Sequence, residues 1–229
     1  MKICSALCVL LAAIVVGCGE GSSSPQSTTA EGLWIGNTST LRKITGLVLD
    51  DGTYWIFYTG GPGRFSATEG FIQGTGISRA GSFSSSNGQD FNFAGLGNNN
   101  VTVSASFQSK QSFNGLVSYP TQGISFTSSY SDTYEQAPSL DTIAGTYDSG
   151  FTISSSGALR GSLSGGCRFE GNVSPRKKGN LYDLTLTHGC AAGTTIAIGI
   201  GYYNSDTKIF YAAAIADNGS PLMLVNTKQ

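Results

Sequence analysis

Histidine is almost missing from this chain of 229 residues: His188 is the only one. A Ser-His-Asp relay therefore has a single candidate base, and a multi-histidine metal centre has no material. Charge is scarce as well. The 13 basic residues face 14 acidic ones for a net charge of −1, so no basic surface is expected and nothing favours a nucleic-acid partner. Gly60-Gly61-Pro62-Gly63 is followed by neither the lysine nor the helix start that a phosphate-cradling loop needs. Glu69, Glu135, Glu170 and Asp183 are acids that a glycosidase could use, and nothing in their spacing pairs them. These shortages predict a protein that is not an enzyme, with no catalytic residue, metal or cofactor.

Helical periodicity is missing too, and past residue 16 no apolar run approaches the roughly 20 residues of a membrane-spanning helix. In their place stand 32 glycines, 10 tyrosines and 12 phenylalanines among abundant Ser and Thr, a composition that reads as all-β. Short alternating runs predict strands at 32–36, 44–49, 54–58, 69–76, 80–84, 90–94, 101–108, 113–119 and 124–130, with turns at Asn87-Gly88 and 97–100. Asp50-Asp51-Gly52-Thr53 lies between two of these runs. Asp-Gly there predicts a type I′ hairpin turn, so the paired aspartates are assigned to a turn, not to acid/base chemistry.

The first 17 residues carry a basic Lys2, an apolar stretch from Ala6 to Val16 and a small Gly17 before Cys18. Val15-Val16-Gly17-Cys18 resembles the lipobox of bacterial lipoproteins. The resemblance implies a signal peptide over 1–17, diacylation of the Cys18 sulfur and acylation of its amine, a palmitate-type anchor holding the chain to a membrane. Gly19, where inner-membrane lipoproteins of Gram-negative bacteria usually carry Asp, points to the outer membrane, on either its periplasmic or its surface face. Residues 19–30 (GEGSSSPQSTTA) are polar and glycine-rich, so 18–30 is expected to be the lipidated cysteine and a flexible tether.

Cys4 and Cys8 would leave with the signal peptide and Cys18 would take the lipid, which leaves Cys167 and Cys190. An even pair in an exported chain predicts a disulfide; two buried thiols are the alternative. In Thr187-His188-Gly189-Cys190 the histidine then reads as a strand-end residue beside a bridge.

Ser131 to Thr142 breaks the strand pattern and predicts a boundary, giving a first β unit over 31–136 and a second over 137–229. Order and content repeat across it: Gly32-Leu33-Trp34 is echoed by Gly145-Thr146-Tyr147, the corner 48–52 by 153–157, and 101–107 by 181–187. We expect two antiparallel glycine-rich meanders, small barrels or sandwiches, from a diverged internal duplication. The alternative is convergence, and two meanders could also share one larger barrel.

Lipobox, polar tether and two glycine-rich meanders together resemble surface lipoproteins of Gram-negative bacteria, including the factor H-binding and transferrin-binding groups. That resemblance is architectural and carries over no functional residue. Gly32-Leu33-Trp34 near the start of a meander also resembles the G-x-W of lipocalins, which implies a tryptophan plugging the closed end of a barrel. The function expected is therefore binding at the cell envelope, to a protein or glycan partner. A lipocalin-like carrier of a small apolar ligand is the alternative, and a hydrolase comes third. Trp55, Tyr58, Tyr119, Tyr202, Tyr203 and Tyr211 are the candidate contact aromatics, equally available to the core. Arg176-Lys177-Lys178, after Pro175, reads as a solvated hairpin tip, with a contact for anionic lipid or polysaccharide as the sharper reading.

Overall fold

A computed structural model describes residues 29–229 apart from 65–66, 96, 163–166 and 191–192, and leaves out the side chains at 188, 190 and 193. The proposed signal peptide, Cys18 and nearly all of the tether lie outside the described residues.

The protein is all-β. Its first sheet contains β1 Gly32–Thr38, β2 Lys43–Val48, β3 Thr53–Thr59, β4 Thr68–Thr75, β5 Ile77–Arg79, β6 Ser82–Asn92, β7 Gly97–Gln108, β8 Ser112–Ser118 and β9 Gly123–Tyr130. Neighbours in sequence pair antiparallel except β4 and β5, β1 returns to β9, and β4 pairs with β6. Those two closures make an eight-stranded barrel with no free edge, and β5 is a short flap on β6.

A 3-10 turn at Asp132–Glu135 and a one-turn helix, α1 Leu140–Ile143, lead to the second sheet. It runs in sequence order through β10 Gly145–Thr146, β11 Thr152–Ile153, β12 Ala158–Ser162, β13 Arg168–Pro175, β14 Leu181–Cys190, β15 Gly193–Asn204, β16 Ile209–Ala216 and β17 Pro221–Thr227. This sheet curls until its ends meet at one bridge, Tyr147 to Lys228, where Asp148 N donates to Thr227 O at 3.1 Å and Gln229 N to Thr146 O at 3.0 Å.

Period-two alternation sorts the apolar side chains into three cores. Tyr54, Ile56 and Tyr58 of β3 point into the barrel, beside Trp34, Phe83 and Phe113. Phe210, Ala212 and Ala214 of β16 fill the concave side of the second sheet with Tyr182 and Leu184. The remaining faces of the same strands meet each other: Trp55, Phe57 and Phe71 pack against Tyr202, Tyr211 and Ala213. Phe57 and Tyr211 touch edge to face, with ring centroids 5.7 Å apart. Strand β3 is therefore buried on both faces, and the two units share an apolar interface.

Four local expectations change. Residues 97–100 do not form a turn; they open strand β7 and pair with Gln89 to Asn92 of β6. Asn87-Gly88 does not turn the chain; it forms a β-bulge within the single long strand β6, between Ser85 and Gly88. Asn87 Oδ1 stabilises the bulge by accepting from Thr75 N and Ser85 Oγ, each at 3.0 Å. At Asp50-Asp51-Gly52 only Gly52 has a positive φ, +83°, with Gly52 N donating to Leu49 O and Leu49 N to Thr53 O. That is a three-residue hairpin loop ending in a left-handed glycine in place of a type I′ turn. Asp51 Oδ1 accepts from Thr53 N at 2.8 Å, as a turn aspartate should. Nor is the Arg176 tip simply solvated. Arg176 pairs with Asp183 and with Asp50 of the first unit, and Lys178 lies 3.8 Å from Asp50 and 3.9 Å from Glu31. Arg176 thus commits its charge to the junction between units, while Lys177 and Lys178 stay largely exposed.

Backbone register places Arg168 opposite Gly189, so Cys167 stands one step out, opposite Cys190. The Cys190 side chain lies outside the described set, so a Cys167–Cys190 disulfide is a matter of proposal. His188 pairs with Phe169 through its backbone, and its side chain is likewise outside the described set.

Candidate functional site: a buried carboxylate in the barrel mouth

The barrel is stoppered at one end. Trp34 is 1% exposed, donates from Nε1 to Ala30 O at 2.9 Å and packs between Phe113 and Tyr130, each ring centroid 5.4 Å away. Tyr54 and Phe83 complete the plug in edge-to-face contact, with centroids 5.7 Å apart.

At the opposite end the barrel is hollow. A cavity of about 420 Å³ opens between the start of β2 and the ends of β3, β6 and β8, walled by Ile44, Ile56, Ile72, Val117 and Phe126. Its volume falls in the range of small-ligand sites, roughly 300–1,000 Å³.

One charged group is sunk into this apolar wall. Asp90 is 4% exposed, and its Oδ1 accepts from the Tyr58 hydroxyl at 2.6 Å while its Oδ2 accepts from the Tyr119 hydroxyl at 3.0 Å. The donors are oriented by backbone. Ala94 N donates to Asn92 Oδ1 at 2.9 Å, which turns the Asn92 amide nitrogen toward Tyr58; it donates to the Tyr58 oxygen at 3.1 Å. Burial raises the Asp90 carboxyl above its ordinary range, a rise that the two tyrosine hydrogen bonds and the charge of Arg42 offset only in part. Burial also pushes the Tyr58 and Tyr119 phenols up, and the neighbouring carboxylate adds to that rise, so both keep their protons.

Arg42 is the cation on the cavity wall. Its guanidinium lies over the Tyr58 ring, 5.3 Å from the centroid, and donates from Nη1 to Thr59 O at 3.2 Å. It faces the buried Glu69 at 3.5 Å, a carboxylate that Arg64 also reaches at 3.1 Å. Glu69 Oε2 makes no hydrogen bond, so the Arg42 contact is its nearest compensation.

No protein-family model, curated protein or solved structure matches this chain.

Of the six candidate aromatics, the fold brings Tyr58 and Tyr119 together on Asp90, and stacks Tyr202 on Tyr211 at the interface. Trp55 and Tyr202 are buried in the interface core, Tyr211 packs against it, and Tyr203 belongs to the core of the second sheet. Asp90, Asn92 and Arg42 were not singled out from the sequence. The bulge in β6 explains the omission of Asp90. An unbroken alternation from Phe83 and Ser85 would point Phe91 inward and Asp90 outward, whereas the extra residue reverses the parity, sending Asp90 into the barrel and Phe91 to the interface. Among the described residues no cluster of His, Cys, Asp and Glu could hold a metal ion, and no helix is long and apolar enough to cross a membrane.

Proposed function

We propose that this chain is a lipid-anchored lipoprotein of the bacterial outer membrane whose first barrel holds a small, largely apolar ligand in its mouth. The observation that carries the reading is the hollow end of a barrel plugged at the other end by Trp34, with one oriented carboxylate in an apolar wall. A packed interior has no structural need for such a space, and burying a charge there costs stability that function can explain. Docking a protein or glycan through exposed aromatics has fewer supports, because Trp55, Tyr202 and Tyr203 are buried. Among the described lining residues Asp90 is the single carboxylate, so paired-acid hydrolysis lacks its second group there.

The anchor reading rests on Val15-Val16-Gly17-Cys18 and the polar stretch after it. A Cys167–Cys190 disulfide belongs to the same proposal, supported by the export it implies and by the register that sets the two residues opposite each other.

Methyl-resolved NMR of the full chain in nanodiscs tests the ligand site. With 1-hexanol as probe, saturable shifts are expected at Ile44, Ile56 and Ile72, while the exposed Ile196 and Ile198 of β15 stay in place. Equal shifts at all five, or shifts that persist after Ile56→Trp fills the cavity, would overturn the reading. Palmitate labelling that survives Cys18→Ala would overturn the anchor.

A further inference from the structure

We infer that the ligand carries a cationic head, a protonated amine on an apolar body, and that the Asp90 carboxylate is the point that recognises it; this rests on reading the mouth as a small-ligand site. The argument begins with proton direction. Because the Ala94 amide fixes the Asn92 side chain, and Asn92 donates to the Tyr58 oxygen, the Tyr58 proton must point at Asp90 Oδ1. Tyr119 donates to Oδ2. Accepting on both oxygens, with the Tyr58 proton fixed in direction, favours the carboxylate form, and each oxygen keeps a further lone pair for a third donor.

The charges around it are unequally matched. Arg42 is turned to Glu69 and to the Thr59 carbonyl, and Arg64 reaches the same glutamate. Asp90 makes no direct ion pair among the described residues; Arg42 acts on it only from a distance, and its hydrogen-bond partners are neutral hydroxyls. A buried carboxylate is held at least cost when a cation meets it, and the open side of Asp90 is the cavity. A ligand amine would complete that pair, with its chain along Ile44, Ile56 and Val117. A carboxylate head would bring like charge to Asp90, and a hydroxyl head would leave the charge unmatched.

The test compares hexylamine, 1-hexanol and hexanoate on the full chain in nanodiscs, with affinity read from the methyl shifts of Ile44, Ile56 and Ile72 and empty nanodiscs as reference. We expect hexylamine to saturate these signals at a concentration at least tenfold below hexanol, and Asp90→Asn to bring the ratio to near one. Tyr119→Phe keeps the carboxylate and should keep the preference for the amine, which guards against a variant that fails to fold. Equal affinity for amine and alcohol would overturn the cationic head and leave the small-ligand site standing. Tightest binding by hexanoate would overturn it in favour of Arg42 as the head-group reader. If none of the three probes moves the cavity methyls, the ligand site itself falls.

Discussion

Trp34 and Tyr147 hold the same position in the two units. Each follows by two residues a glycine of unusual backbone, Gly32 at φ +155° and Gly145 at φ +151°, and each side chain donates to the carbonyl four residues back, Trp34 to Ala30 at 2.9 Å and Tyr147 to Ile143 at 2.7 Å. A second device follows in the same order. Gly52 and Gly157 have φ of +83° and +85°, and their carbonyls accept from Gly76 N at 2.9 Å and Val173 N at 2.8 Å. A β-carbon at either glycine would strike a carbonyl oxygen, that of Gly76 or Val173. Shared order and shared hydrogen bonding are what an internal duplication leaves behind, and glycine-rich composition alone would not produce them.

The aromatic plugs should be costly to remove, and by different amounts. Tyr147→Phe keeps the ring and strands the buried Ile143 carbonyl, a loss of about 1–3 kcal/mol, whereas Trp34→Ala also opens a cavity and should cost about 3–5 kcal/mol. Urea unfolding midpoints at constant slope measure both. A Tyr147→Phe protein as stable as the parent would mean that the hydrogen bond contributes nothing.

Glycines differ sharply in the space around them, in a strand or in the β3–β4 loop. A β-carbon at Gly199 of β15 would collide with the Ala213 carbonyl oxygen on β16, while one at Gly61 would meet nothing within 4 Å. Gly199→Ala should therefore destabilise by about 1–3 kcal/mol, and Gly61→Ala should stay within about 0.5 kcal/mol. Thermal unfolding of the two variants side by side decides this.

Alkaline pH should unfold the protein. Burial raises the phenols of Tyr58, Tyr119, Tyr134 and Tyr147 above their ordinary value of 10.0. In the unfolded chain they ionise near 10, so above that pH the folded state binds more protons than the unfolded one and stability falls as pH rises; below it the contribution is fully present. Tyrosinate absorbance and circular dichroism followed together should show these phenols ionising only as the structure is lost. Ionisation near pH 10 with the fold intact would contradict their burial.

Reduction should weaken the second sheet if Cys167 and Cys190 are joined. The bridge would close a loop of about 22 residues, worth about 3 kcal/mol by the chain-entropy argument. Mass spectrometry of a non-reduced digest should find the 167 and 190 peptides linked. Free thiols at both positions in protein from an oxidising compartment would remove the bridge.

Strand after strand was legible in the sequence, because Val101-Thr102-Val103-Ser104-Ala105-Ser106-Phe107 and its counterparts alternate plainly, and both units emerged from the repeated Gly-x-aromatic starts. The site was not. Asp90 depends on a bulge that reverses parity, and no local pattern announces which of Asn87 and Gly88 bends a strand and which ends it. The junction was half visible: Tyr54-Trp55-Ile56-Phe57-Tyr58 is apolar at every position, the mark of a strand covered on both faces. Its electrostatic half, Arg176 on Asp50, spans 126 residues and could come only from the fold.

The most direct measurement is a crystal soaked with 6-bromohexan-1-ol, whose bromine can be located by anomalous scattering. Our account predicts one strong bromine peak inside the ring of Ile44, Ile56, Ile72, Val117 and Phe126, with the hydroxyl directed at Asp90. A barrel mouth with no bromine in it, and peaks only on outer surfaces such as that of Ile196 and Ile198, would contradict it.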